Sequence, residues 1–224
     1  MSRVTPGINP IVNLAAFPGP EQRILRWLAQ IVYITNPGSE IWLSERSRYR
    51  FVLIKFPDHI AEMFNLTREM VCLFSSYENF EMRTLDAFDR ADAKYETFRI
   101  DRLCRFLISG DHNVEREVAI LLKSDPEAPI IVPFTYSELP NIQGEIFFLN
   151  RTRRHFFFRD LFAFQSPLKK DLYFFGRHSL VHGIASRGRA GENTGLFGLR
   201  RSGKTSVIYA LERTLDASGD KFYS

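Results

Sequence analysis

The sequence predicts an α/β fold with a largely parallel sheet, and three observations carry the prediction. Short apolar runs of strand length alternate with segments in which apolar residues recur every three or four positions, the order that sets helices between parallel strands. At 45% hydrophobic and 25% charged residues over 224 positions, the composition is that of an ordinary globular protein, which excludes disordered and fibrous classes. Late in the chain an apolar run, a glycine-bracketed loop and a helical stripe follow one another in the order strand, loop, helix.

Residues 1–19, MSRVTPGINPIVNLAAFPG, read as an irregular opening segment because Pro and Gly punctuate them. GPEQRILRWLAQIVYIT reads as an amphipathic helix with Ile24, Trp27, Leu28, Ile31 and Val32 on one stripe, ended by NPGSE. RYRFVLIKF is a strand, and the short helix DHIAEMFNL after it takes Asp58 as its N-cap. EMVCLFSSY is a second strand, and NFEMRTLDAFDRADAKY returns to helical spacing through Phe80, Met82, Leu85 and Phe88. FRIDRLCRFLIS fits a strand by length and a helix by spacing, and its type stays open. DHNVEREVAILLKS is a capped helix that ends in SDPEAP, and IIVPFTY is a buried strand whose Pro suits a sheet edge. Residues 20–140 therefore read as a Rossmann-like α/β domain.

The opening segment lacks a basic stretch followed by a long apolar run, so it is no secretory signal. The most apolar early stretch, WLAQIVYI from Trp27, is too short to span a bilayer. Cys72 and Cys104 sit in apolar contexts without disulfide or zinc spacing, as buried thiols of a reducing compartment do. A cytoplasmic protein without membrane contact is expected. The formal charge of +4 is spread along the chain and argues only weakly for nucleic acid.

Residues 141–170 form a connector dense in Phe and Arg, GEIFFLNRTRRHFFFRDLFAFQSPLKK at its heart. It reads either as a nucleic-acid surface, with rings stacking on bases and Arg neutralising phosphate, or as an inter-domain helix. In the second reading Phe157, Leu161 and Phe164 face inward at helical spacing. That reading is favoured, since an exposed Phe run would be unusually sticky.

The loop Gly198-Leu199-Arg200-Arg201-Ser202-Gly203-Lys204-Thr205 fits G-x-x-x-x-G-K-[ST] at every fixed position. Glycines let such a loop curl so that successive N–H groups converge on phosphate oxygens, while Lys204 supplies a point charge for the β- and γ-phosphates. The Thr205 hydroxyl can ligate Mg²⁺, and the helix beginning there adds its positive end. Arg201, Ser202 and Ser206 complete the candidate set around Gly198, Gly203, Lys204 and Thr205. The context agrees: GLFGL reads as the strand feeding the loop, and KTSVIYALERTL places Val207, Ile208 and Leu211 on a helical stripe behind it.

Upstream, DLYFFGRHSLV at 171–181 resembles the apolar-Gly-Arg box that precedes the phosphate loop in two related groups. These are the AAA+ ATPases of the origin-recognition type and the signal-transduction ATPases with numerous domains, called STAND. The resemblance covers about residues 170–215. It implies that 171–224 begin a P-loop NTPase domain, that ATP with Mg²⁺ is the cofactor, and that Phe174, Phe175, Gly176 and Arg177 line the base pocket. Leu180 and Val181 would lie on the helix behind. The resemblance also implies that the α/β domain is an effector or adaptor and that ATP binding switches assembly. Partners would be further copies of the chain or the rest of an ATPase, with nucleic acid a weaker candidate.

The sequence departs from these families after the loop helix, where no apolar strand ending in Asp follows and no sensor or arginine finger is present. DASGDKFYS reads as a turn and the first residues of a second strand, as in a truncated ATPase domain. The expectation is thus the ATP-binding N-terminal part of a P-loop ATPase that binds nucleotide weakly and hydrolyses it negligibly. Two alternatives stand beside it: a nuclease or nucleotide-processing α/β effector regulated by the ATPase segment, and a plain interaction module. His59, His112, His155, His178 and His182 show no complete metal-ligand pattern, and Asp86, Asp89, Glu115 and Glu117 read as solvated helix faces.

Overall fold

The computed structural model describes residues 4–36, 40–45, 47–95, 99–157, 164 and 166–219. The chain divides into two compact units, Met1–Ser124 with Ala128–Arg159, and Asp125–Glu127 with Asp160–Ser224.

The first unit is mixed α/β, a seven-stranded sheet flanked by helices. Its elements are β1 (Gly7–Ile8), α1 (Gly19–Leu28), β2 (Tyr33–Asn36), β3 (Glu40–Ser44), β4 (Ser47–Lys55), α2 (Asp58–Phe64), β5 (Met70–Ser75), α3 (Arg83–Asp92), β6 (Cys104–Ser109), α4 (Val114–Ser124), β7 (Ile130–Thr135) and α5 (Glu145–Phe157). The spatial order is β1-β2-β4-β5-β6-β7, with β3 also paired to β4. β2, β3 and β5 are each antiparallel to β4, whereas the β1–β2, β5–β6 and β6–β7 pairs are parallel. β4 is therefore the single reversed strand, and the other six share one direction. β3 and β2 occupy the same edge of β4 in succession, Glu40 opposite Arg50 and Tyr33 opposite Lys55.

Every residue of β5, β6 and β7 is buried, the signature of strands covered on both faces. Strand alternation sends Phe51, Leu53, Val71, Leu73, Leu107 and Ile131 to one face, where Ala87 and Phe88 of α3 and Val118 and Leu121 of α4 cover them. On the other face Phe148 of α5 is the centre of an aromatic cluster, its ring 5.4 Å from Phe106, 5.6 Å from Phe134 and 6.1 Å from Phe56. Trp27 of α1 meets Phe148 edge-on at 6.4 Å, and its indole N–H donates to the Asn141 carbonyl at 2.8 Å. β7 ends the sheet, so the N–H that Pro133 lacks is not missed, as its sequence suggests.

Several local expectations are corrected. The opening segment is not wholly irregular, since β1 pairs with β2. The first helix stops at Leu28: the N–H groups of Ile31 and Val32 both donate to the Leu28 carbonyl in a turn that leads into β2, so their burial is that of a turn. Pro57, not Asp58, caps α2, because its extended backbone lets its carbonyl accept from Ile60 and Ala61 while Asp58 is already helical. Of the ambiguous FRIDRLCRFLIS, Cys104–Ser109 form β6, with Arg105 buried on the strand and held by Asp92 at 2.5 Å and Asp89 at 2.9 Å, and Phe98 lies outside the described residues. Cys72 and Cys104 are buried free thiols, and burial pushes both well above the usual thiol range.

The second unit holds a 3-10 turn at Asp171–Tyr173, α6 (His178–Arg189) and α7 (Lys204–Ala217). Phe174, Val181, Val207 and Ala210 form its small core, with Ile184, Leu196 and Leu211 packed on it. The strand expected at GLFGL is absent: residues 193–199 are irregular, and among the described residues of this unit there is no strand. A strand needs a neighbour for its backbone groups, and here only Leu196 turns onto the core while Phe197 and Leu199 are 92% and 84% exposed. Asp216 and Ala217 of the expected closing turn belong to α7, and residues 220–224, like Leu161, lie outside the described residues. No helix among the described residues is long and apolar enough to cross a membrane.

Candidate functional site

The phosphate-loop signature occupies the approach to α7. Gly203 is the N-cap residue in the left-handed region (φ 79°), and the first intrahelical bond runs from the Val207 N–H to the Gly203 carbonyl at 3.1 Å. The N–H groups of Lys204, Thr205 and Ser206 therefore precede the helical ladder and carry the positive end of the helix. The motif's two glycines have separate physical reasons. A Cβ on Gly198 would sit 2.9 Å from the Ser202 hydroxyl, whereas Gly203 supplies a backbone conformation that L side chains rarely adopt. Arg201 also lies in that region, at φ 62°, without being glycine. The Lys204 ammonium donates to the carbonyls of Gly198 at 2.9 Å and Leu199 at 2.7 Å, so it bridges the two sides of its own loop.

The upstream box forms a turn that faces this loop. Phe174 is buried in the small core and meets His178 edge-on at 5.5 Å, while Phe175 is 62% exposed. Gly176, at φ 78°, turns the chain, and Arg177 is the N-cap residue of α6. No atom lies within 4 Å of a Cβ built on Gly176, so its constraint is conformation, not space. The Arg177 guanidinium donates to the Ser202 carbonyl at 2.7 Å and joins the two segments.

Between them is a cleft of about 970 Å³. Phe164, Pro167, Leu168, Tyr173, Phe174 and Phe175, with Ser166 among them, make one part of its wall, and Arg177 with Arg201, Ser202, Gly203, Lys204, Thr205 and Ser206 makes the rest. Of the residues assigned from sequence, only Gly176 and Gly198 are outside this lining, and both act through the backbone. Ser206 is buried and its hydroxyl accepts from the Leu168 N–H at 2.9 Å, which fixes the segment leading to the box. Arg213 on α7 holds the same segment through the Asp171 carboxylate and the Lys169 carbonyl. Sequence reasoning missed the contributions of Phe164, Pro167 and Leu168 to the wall, for they belong to no motif and only their apolar character could have marked them.

Among the described residues the lining contains three cations and no carboxylate. It is a cleft with an aromatic part and a cationic part, suited to a ligand that joins a flat apolar ring to an anion. Among the described residues no three His, Cys, Asp or Glu side chains are gathered as a metal site. Of the carboxylates on helix faces in the first unit, Asp89 pairs with Arg105, and Glu115 pairs with Arg151 and Arg154.

A scan against models of protein families and searches of curated proteins and of solved structures found no match to this chain.

Proposed function

We propose that the second unit binds ATP, the phosphates in the GLRRSGKT loop and the adenine against the FFGR turn, and that the chain belongs to a cytoplasmic P-loop ATPase of the AAA+/STAND kind. One observation carries the reading: two segments about two dozen residues apart, each suited to one part of a nucleotide, open on the same cleft. Gly203, Lys204 and Thr205 direct backbone donors, an ammonium and a helix N-terminus at incoming phosphate oxygens. Phe175 offers an exposed ring for the base. Mg²⁺ fits only as an ion carried by the phosphates, to which Thr205 would add one hydroxyl oxygen. The metal would neutralise phosphate charge. Because the described residues of the lining include no carboxylate to hold it from the other side or to orient water, turnover by this chain is expected to be negligible.

Calorimetric titration with ATP and Mg²⁺, run beside Lys204→Ala, tests this. Weak binding that falls about tenfold or more in the variant is expected, since an ammonium bonded to phosphate contributes on the order of 1.5–3 kcal/mol. Equal affinity in both proteins, or rapid hydrolysis abolished by the substitution, would overturn the reading.

A further inference from the structure

We infer that Arg177 is a positioning residue for the phosphate loop, selecting one of two orientations of the peptide group between Ser202 and Gly203. The inference rests on the phosphate-loop reading above and changes the role of a residue that the resemblance assigns to the base. The Arg177 guanidinium donates to the Ser202 carbonyl at 2.7 Å, and it approaches so closely that a Cβ on Gly203 would be 3.4 Å from its terminal nitrogen. In a trans peptide the C=O and the N–H of one plane point in opposite directions. Holding the Ser202 oxygen on the Arg177 side therefore aims the Gly203 N–H away from Arg177.

Without that hold the plane is free to turn over. Gly203 tolerates both the φ 79° observed and the conformation a flipped plane would require, because it has no Cβ to forbid either. With Arg177 present, the flipped plane would set the Gly203 N–H against a guanidinium that can only donate, a contact of two donors. Arg177 thus acts as a selector, and the same turn that carries Phe175 sets the shape of the loop that receives phosphate. The phosphate contacts and the base contacts become linked through one side chain.

The experiment has two arms. In the ligand-free full chain, carbonyl-carbon and amide NMR signals of Ser202 and Gly203 are compared in the wild type, Arg177→Lys and Arg177→Ala, with α6 and the core of the second unit as the folding control. Large shifts at Ser202 and Gly203 in Arg177→Ala, partly restored in Arg177→Lys, are expected while the control signals stay in place. Signals unmoved at Ser202 and Gly203 would overturn the inference, whatever the nucleotide does. If Arg177→Ala disturbs the control, Arg177→Gln, which keeps a donor of shorter reach, takes its place under the same criteria. In the second arm, Mg²⁺-ATP and inorganic tripolyphosphate are titrated into each protein. Both should weaken by the same factor, about tenfold if the competent loop falls to a tenth of the molecules. Loss for ATP alone would make Arg177 a base reader and overturn the inference. A wild type that binds neither ligand would reject the nucleotide reading and leave the first arm to decide whether Arg177 orients the loop.

Discussion

At the scale of single residues, the loop at 198–205 shows which parts of a motif are visible in sequence. Gly203 was legible because a left-handed residue before α7 asks for glycine, and Lys204 and Thr205 open the helix where the motif's spacing sets them. The left-handed backbone of Arg201 was not, for nothing about Arg announces a positive φ. An L residue there costs about 1–2 kcal/mol relative to glycine. Arg201→Gly should therefore stabilise the second unit, by about 1 kcal/mol after the extra freedom of glycine in the unfolded chain is offset. Denaturant melts followed through α7 measure this. Destabilisation would show that Arg201 gains more from its side chain than its backbone loses.

At the scale of elements, α5 is the instructive case. EIFFLNRTRRHFF carries so many aromatics that several helical stripes can be drawn through it, and Phe157, the one residue of the expected stripe that lies in α5, is not on the buried one. The partner face decides: Phe148, Thr152 and Phe156 are buried, while Phe157 is exposed. The same packing encloses His155, whose Nε2 lies 3.5 Å from Glu115 without a well-formed hydrogen bond. Burial, outweighing the pull of Glu115 and helped by Arg154 and Arg151, pushes His155 down to about 4. The unfolded chain, with histidine near 6.5, then binds more protons than the folded one between these values. Stability of the first unit should fall as the pH drops from about 6.5 toward 4. Replacing His155 with Phe should flatten that part of the profile in urea midpoints taken at successive pH values. A slope equal to the wild type's would assign the pH dependence to the carboxylates instead.

At the scale of the whole molecule, the two units have cores of very different size. Among the described residues, fifteen make the buried cluster on one face of the first unit's sheet, against four in the cluster of the second. Hydrogen exchange should therefore open α6 and α7 at lower free energy than β4 to β7, and saturating ATP should slow exchange in α7. Uniform protection across both units would contradict this. The alternation of strands and helices was legible because buried parallel strands leave long apolar runs. The reversal of β4 was not, since a strand buried on both faces reads alike in either direction. The missing strand at GLFGL has the related cause that an apolar run shows what a segment could pair with, and pairing needs a second strand.

The reversed strand has a consequence for how the sheet can come into being. With β4 turned back, β3 and β5 lie directly beside it, and β6 and β7 follow outward in the order in which the chain supplies them. No strand has to be inserted between two already paired, and each parallel addition after β5 closes over one intervening helix, α3 before β6 and α4 before β7. The sheet is thus able to grow from β4 outward as synthesis delivers each successive strand.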